Sequence, residues 1–589
     1  MDLRAVQLLA RALGFVGGRH RDEGESPRLA GVTVEDDGDG FAGAGLAEER
    51  PEIVLRDGVG EVADEEFLSH SGRLPAALRG CNPCVAGNRG LRFRVRVAFC
   101  RQVSLRARVT VGLGWTGAVH WLGVAVATVT TAIVARLLVP EDFAIVAAAG
   151  ALAGVVGAIQ ESGLGSAVVQ HTGDEERAAT TGFLLNLAGA SIALVVCLAL
   201  TPWLAAFFQI DRPGALAVAF APLWLRAWMN VPLARLQKAL DFRRCAIVEA
   251  VQVFAYPAAT IPLAVAGTGP WALVLGQAVA AAAGAVAAWM LSGWRPAVRD
   301  FDWTTGRSLL RFGRPLLWST LLGMVNDRID NWATGRMLGP AALGLYAMSF
   351  RLATLPRTGF TYVVSRVLFP AMTTLQGDER RLRDAFLKGL HWVAALAIPT
   401  TCGLALLAPE IVAVALGPRW TGSIAPLRVL AGFGLCAALA ATTGDVFKAT
   451  GRSALIFRIG LVHSAVLWTG LALLTRYGLP YVALAVTGAA VVSSATAFVC
   501  ALATLHVGPR ALARALAAPA AGTLVMAVAV AAARALPLGS GVVSLLVLTG
   551  LGAAVYTGTV AWLAPADVRE LGSAVATLRG PRTRAAVAG

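Results

Sequence analysis

The chain has 589 residues, of which 56% are hydrophobic and only 15% charged, with a mean hydropathy of +0.65. A soluble globular chain carries about 25% charged residues, so the composition excludes an ordinary soluble enzyme and points to the membrane class. The net charge of +15 is carried by Arg, since Lys occurs only at Lys238, Lys388 and Lys448. The Arg residues sit between apolar runs, which fits the positive-inside rule better than a nucleic-acid surface. No nucleic-acid partner is expected.

Residues 1–102 are polar, rich in Gly, Asp, Glu and Arg, and hold no apolar run long enough to span a bilayer. They read either as a disordered cytoplasmic tail or as translation upstream of the true start. In the second reading Val103 is the initiator, because Val103-Ser104-Leu105-Arg106-Ala107-Arg108 has the basic residues that precede a first membrane helix. Residues 5–18 are interrupted by Arg11 and do not make a signal peptide. Cys81-Asn82-Pro83-Cys84 is a lone CxxC; Cys100 and His120 do not complete a zinc site at suitable spacing. No metal and no cofactor are expected.

From about residue 110 apolar runs of about 20 residues recur, each long enough for a hydrocarbon core of about 30 Å. The spans are 111–135, 142–162, 179–201, 214–232, 246–266 and 270–292, then 309–334, 342–369, 386–408, 421–446, 454–475 and 480–505, then 513–536 and 541–563. This is six, six and a final pair. The expected organisation is an extension at 1–102, an N-lobe at 103–300, a C-lobe at 301–507, and accessory helices with a basic tail at 508–589.

Two observations support that count. With the basic start inside, the inside connections hold several-fold more Arg and Lys than the outside ones, which places both termini in the cytoplasm. A segment also repeats 200 positions apart: Ala135-Arg136-Leu137-Leu138-Val139-Pro140 with Ala144-Ile145-Val146-Ala147, and Gly335-Arg336-Met337-Leu338-Gly339-Pro340 with Gly344-Leu345-Tyr346-Ala347. Both copies fall at the outer end of the first helix of a six-helix set, so the repeat is parallel, and two such lobes about a central site are a transporter architecture. Arg136 and Arg336 are expected to snorkel at the outer rim. The Trp residues near span ends, at 203, 271, 294, 303 and 420, are expected in an interfacial belt.

Ionisable residues at membrane depth are costly and face a cavity or a partner. Arg226, Arg328, Arg351 and Arg357 are the candidates for a substrate cavity. Asp327, Asp330, Glu249 and Asp445 are candidates for ion coupling or for ion pairs, with Asp327, Arg328 and Asp330 able to neutralise one another. Glu161 beside Ser162-Gly163-Leu164-Gly165 reads as a cap or loop. Arg366 reads as an interfacial snorkelling residue. Pro222, Pro232, Pro257, Pro262, Pro315, Pro356 and Pro399 would kink their helices.

Several segments together resemble a known family. They are Ala135–Phe143, Glu161–Gln170, Leu236-Gln237-Lys238-Ala239-Leu240-Asp241-Phe242-Arg243-Arg244, Asp327–Asn331 leading into Gly335–Tyr346, Arg366–Ala371 and Ala449-Thr450-Gly451-Arg452. Over about 104–565 the chain resembles the Wzx-type polysaccharide biosynthesis flippases of the multidrug/oligosaccharidyl-lipid/polysaccharide exporter superfamily. The resemblance implies an all-α, MATE-like polytopic membrane fold of about 14 transmembrane helices, in two six-helix lobes plus two accessory helices. It implies export of an undecaprenyl-pyrophosphate-linked glycan from the inner to the outer leaflet of the cytoplasmic membrane by alternating access. A polysaccharide polymerase and export machinery would be partners. Arg would then serve the pyrophosphate, because a guanidinium stays charged and binds phosphate oxygens in pairs. The alternatives are a MATE-like cation-coupled exporter, whose cavity should be acidic and aromatic, and a membrane polymerase or ligase, which should carry a large outer loop or catalytic domain.

Overall fold

The computed structural model describes residues 119, 121–161, 174–239, 241–307, 323–356, 368, 372–373, 375, 377–536, 541–566 and 569. The 1–102 extension, Cys81, Cys84, Val103, Arg357 and Arg366 lie outside the described residues. So do the segments 162–173 and 308–322, the latter with Pro315.

The described chain is helical. Its first part comprises α1 (Trp121–Leu137), α2 (Pro140–Glu161), α3 (Glu175–Phe208), α4 (Pro213–Lys238), α5 (Phe242–Val265) and α6 (Pro270–Ser292). There follow α7 (Ile329–Pro356), α8 (Glu379–Leu406), α9 (Ile424–Ala449), α10 (Ser453–Leu474), α11 (Leu479–Thr504), α12 (Pro509–Arg534) and α13 (Val542–Leu563). Local chemistry sets many of these ends. Pro140, Pro213, Pro270 and Pro509 occupy first-turn positions, where the missing N–H costs nothing. Asp174 caps α3 by accepting from the Glu176 and Arg177 amides at 3.1 and 3.2 Å, and Asp378 caps α8 by accepting from the Arg381 amide at 3.0 Å. Within α7, Gly339 has φ 85° and ψ 175° and breaks the helix immediately before Pro340. A side chain is strained at that φ, whereas glycine is not.

Ten of the described helices are long and apolar enough to cross a membrane. They cover the spans expected at 179–201, 214–232, 246–266, 270–292, 386–408, 421–446, 454–475, 480–505, 513–536 and 541–563. The described parts of the remaining four spans are also helical: α1, α2, and the two arms of α7. Large apolar side chains point outward from these helices. Ile192 is 66% exposed, Met290 77%, Val499 67% and Leu524 68%, a pattern suited to lipid rather than water. The protein is a multi-pass membrane protein.

The helices form two bundles. In the first, α6 packs on α5 and α4, and α4 on α3. In the second, α11 packs on α9 and α10, and α9 on α7 and α8. The last pair is fixed to the second bundle, with α12 against α8 and α13 against α12. Arg534 Nε lies 2.7 Å from Glu410 Oε1, the Tyr556 hydroxyl donates to the Ala395 carbonyl at 2.6 Å, and Leu407, Met526, Val530 and Leu548 form a shared apolar cluster.

The bundles meet chiefly through α2 and α7, at the repeated segment. A Cβ on Gly344 would overlap the carbonyl of Pro140, and one on Gly335 would overlap the Phe208 ring. Glycine at 344 lets the two copies approach, and glycine at 335 makes room for the α3 ring. Each copy's Arg reaches the other bundle: Arg136 Nη2 donates to the Val414 carbonyl, and the Arg336 guanidinium sits 5.7 Å from the Phe207 ring centroid. Trp420 Nε1 donates to the Ala135 carbonyl at 2.8 Å, and its ring meets Phe143 edge-on at 5.0 Å. The rim arginines are therefore cross-bundle struts rather than side chains directed only at the interface. Trp420 and Trp294 also depart from the belt expectation. Trp420 is fully buried in this contact. Trp294 is buried in a cluster with Phe183, Trp228 and Trp289, and its Nε1 donates to Glu176 at 2.9 Å. Trp203 and Trp303 are exposed, at 53% and 59%, as a belt requires.

Candidate functional site

Behind the α2–α7 contact lies a cavity of about 570 Å³, within the range of ligand sites. Its wall follows α2 from Phe143 to Gly157 and the second arm of α7 from Ala347 to Arg351. The repeat contact closes the end nearest Pro140. On α2 the lining positions Ala147, Gly150, Ala153, Gly154 and Gly157 recur at three- and four-residue steps, the spacing of one helix face. Small side chains on that face create the space.

The polar wall has two sides. From the second bundle come Arg328, Asn331 and Arg351; from the first come Arg226 on α4, Tyr256 on α5 and Gln277 on α6. Arg328 and Asn331 are three apart and share a face. Arg328 lies across the cavity on α2: a Cβ on Gly154 would be 3.1 Å from Arg328 Nε. That Nε is buried and has no hydrogen-bond acceptor. A buried guanidinium N–H without a partner is costly, and an anionic ligand would supply the acceptor. Arg351 faces Tyr256, whose phenol is its electrostatic neighbour across the bundles. Among the described residues, no Asp or Glu lines the cavity.

The structure thus brings Arg226, Arg328 and Arg351 to one cavity, and leaves the carboxylates elsewhere. Asp330 is buried behind the wall; it accepts from the Tyr346 hydroxyl at 2.6 Å and from the Asn331 amide at 2.7 Å. Its partner is a phenol on the other arm of α7, rather than an Arg ion pair. Asp327 is exposed and has no ion pair within 4 Å among the described residues. Asp445 is buried, with Lys448 Nζ 3.9 Å away. Glu249 is half-buried on α5 and is not part of the lining. Arg357 is outside the described residues. Among those residues, no three His, Cys, Asp or Glu side chains cluster so as to hold a metal.

Sequence reasoning did not single out Tyr256, Gln277, Asn331 or Gly154. Neutral polar residues in apolar helices carry a weak signal, because most of them hydrogen-bond within their own helix. Asn331 was visible as part of the quoted Asp327–Asn331 segment, although not as a lining residue.

Residues 133–425 match the family described as polysaccharide biosynthesis protein. The chain is 27% identical over 305 residues to the teichuronic acid biosynthesis protein TuaB of Bacillus subtilis, covering 51% of this chain and 62% of the relative. It is 23% identical over 370 residues to the lipopolysaccharide biosynthesis protein WzxC of Escherichia coli, covering 61% and 73%. It is 25% identical over 366 residues to the succinoglycan biosynthesis transport protein ExoT of Rhizobium meliloti, covering 62% and 73%. Over residues 133–425, just under half of its length, the chain is similar to the polysaccharide biosynthesis protein family. The matched span of TuaB is less than two thirds of that protein. Two solved structures share the fold of this chain. The lipid II flippase MurJ in its inward closed conformation aligns with a TM-score of 0.63 at 12% identity, covering 76% of this chain and 98% of that one. An inward-facing MATE multidrug transporter of the MOP superfamily aligns with a TM-score of 0.55 at 15% identity, covering 65% and 94%. The all-α, MATE-like expectation holds.

Proposed function

We propose that the protein is a flippase for a polyprenyl-pyrophosphate-linked glycan, moving the headgroup from the inner to the outer leaflet of the cytoplasmic membrane. The observation that carries this reading is the cavity between the bundles, with Arg328 and Arg351 on one wall and no carboxylate among its described lining residues. A pyrophosphate cannot enter hydrocarbon unpaired. Two guanidiniums in a confined, low-dielectric space offer it fixed charge and paired N–H donors. Arg328 Nε has no acceptor from the protein, so the ligand completes a site the protein leaves incomplete. The names of the relatives in lipopolysaccharide, succinoglycan and teichuronic acid biosynthesis point to the same class of cargo.

The positive-inside bias places the repeat contact at the outer face and both termini in the cytoplasm. The structure then corresponds to a state shut to the outside, and alternating access requires the Pro140–Gly344 contact to part. The lobes are 103–300 and 301–507, with α12 and α13 riding on the second. A polymerase would receive the exported unit. The reading is transport rather than catalysis, in line with the succinoglycan biosynthesis transport protein among the relatives. A cation-coupled drug exporter is the weaker reading, because the lining carries arginines where a cationic drug calls for carboxylates.

The test is reconstitution of the purified chain in liposomes with a fluorescent undecaprenyl-pyrophosphate disaccharide, scored by access of an external reagent to the sugar. Arg328→Ala and Arg351→Ala should each slow the movement on the order of tenfold or more, the scale for losing a charge-assisted hydrogen bond. Wild-type rates in both variants, with normal elution on size exclusion, would overturn the assignment of the pyrophosphate to these residues.

A further inference from the structure

A second crevice lies away from that cavity, between α8 and α12, which pack together. It encloses about 400 Å³ and is lined by Asp384, Lys388, His391 and Trp392 of α8 and by Arg514 of α12. Its walls are tied on both sides of Lys388. Arg383 Nε donates to the Leu505 carbonyl, shortly before α12, at 3.0 Å. His391 Nδ1 donates to the Ala515 carbonyl at 2.7 Å. That carbonyl is open to a side chain because Pro519, four residues on in α12, has no N–H to offer it.

Two features of the crevice suit an anion. Trp392 is only 8% exposed, and its Nε1 is buried with no acceptor, a donor left unsatisfied at a cost. The charged lining is Lys388 and Arg514 against Asp384, which sums to one positive charge with His counted as neutral. That matches a phosphodiester, which carries one negative charge, better than a phosphate monoester, which carries about two. Position then points to a lipid. Lys388 and Arg514 stand in the first turn of the apolar spans 386–408 and 513–536, each after a charged start. This is headgroup depth, on the side that bears the basic connections. Leu387, Ala511 and Ala515 make the rest of the lining apolar. Farther along the same two helices Leu396 and Leu524 are 41% and 68% exposed, a surface suited to acyl chains.

We infer that the α8–α12 crevice binds the phosphodiester headgroup of an anionic phospholipid. Trp392 Nε1 and the Arg514 guanidinium donate to its phosphate oxygens, and Lys388 adds charge beside them. A lipid held in this way bridges α12 to α8, and so ties the last helix pair to the second bundle. The inference does not depend on the cargo of the central cavity.

The experiment uses the full chain, purified in a neutral detergent and titrated with phosphatidylglycerol, with phosphatidylcholine of the same chain length, or with glycerol phosphate, while Tm is read. Phosphatidylglycerol should raise Tm saturably by several degrees, and the other two should not. Arg514→Gln and Trp392→Phe should each weaken the apparent affinity on the order of tenfold, the scale of one charge-assisted hydrogen bond. Arg510→Gln, which removes an exposed Arg one turn earlier and outside the lining, should leave it unchanged. An equal response to phosphatidylcholine would overturn the anionic site, and an equal response to glycerol phosphate would overturn its lipid occupant. Equal losses in Arg510→Gln and Arg514→Gln would reduce the effect to diffuse surface charge and overturn the crevice. So would wild-type affinity in both Arg514→Gln and Trp392→Phe. Should the buried Trp392→Phe fail to fold, Arg514→Gln, on the exposed rim, decides the matter alone.

Discussion

Replacing Gly344 by alanine would place one methyl group where the two copies of the repeat touch. The three nearest atoms to that methyl are all backbone atoms of Pro140: its carbonyl oxygen, its carbonyl carbon at 2.6 Å and its Cα at 3.1 Å. None can swing away as a side-chain tip would, so α2 and α7 must part for the alanine to fit. Overpacking of this kind costs about 1–3 kcal/mol. Alanine in a helix returns up to about 1 kcal/mol relative to glycine, so the reference is Gly488→Ala on α11, where an added Cβ meets nothing within 4 Å. Relative to that reference, Gly344→Ala should disfavour the closed contact by about 2 kcal/mol, roughly a 30-fold change in a two-state ratio. Spin labels at the exposed positions Leu137 and Met337, in a background without the native cysteines, would report it as a shift of the distance distribution to longer separations. The contact cannot be as tight as described if the distribution and Tm of Gly344→Ala both coincide with those of Gly488→Ala.

Gly154→Val should crowd the Arg328 side chain, because a Cβ already falls 3.1 Å from Nε; transport of the pyrophosphate probe should drop severalfold while Tm changes little. Tyr346→Phe removes the 2.6 Å hydrogen bond to Asp330 and should lower stability by about 1–3 kcal/mol, the cost of an unsatisfied buried polar group, read by thermal unfolding in detergent. The double variant with Asp330→Asn should recover part of that loss. In the connection after α6, Asp302 accepts from the hydroxyls of Thr304 and Thr305 at 2.5 and 2.6 Å and from both their amides, and these bonds, the Thr304 hydroxyl first, hold its carboxyl well below the usual range. A folded value that is depressed adds stability above the unfolded value of about 4 and loses it as pH falls through the folded one. The Tm gap between wild type and Asp302→Asn should therefore be flat from about pH 5 to 8 and shrink below about pH 4.

The helices were legible because lipid imposes a length and a composition on each of them; neither depends on which neighbour a helix finds. The cavity arginines were legible for a related reason, since an Arg inside an apolar run has few tolerable places to go. Partners were not legible. Asp330 looked paired with Arg328, its neighbour in sequence, yet it meets Tyr346, sixteen residues on, because the break at Gly339 folds the second arm of α7 back toward the first. Trp420 looked interfacial from its place at a span end, yet it fills the contact between bundles, where its indole donates to the Ala135 carbonyl and meets the Phe143 ring edge-on. Long-range packing of this sort needs coordinates.

The repeat matches the two bundles in scaffold and not in charge. Its two copies keep one burial pattern: residues 134 and 135 are buried and 136 and 137 exposed, and so are 334 and 335 against 336 and 337. Continued along the same helices, the 200-residue offset sets Ala151 opposite Arg351 and Thr128 opposite Arg328. The copies share Pro140 and Pro340, whereas Ala135 and Ala144 stand where the second copy has Gly335 and Gly344, and neither Arg328 nor Arg351 has an Arg opposite it. A symmetric set of six guanidiniums would repel one another in a confined space of about 570 Å³. The scaffold is therefore twofold and the site is not.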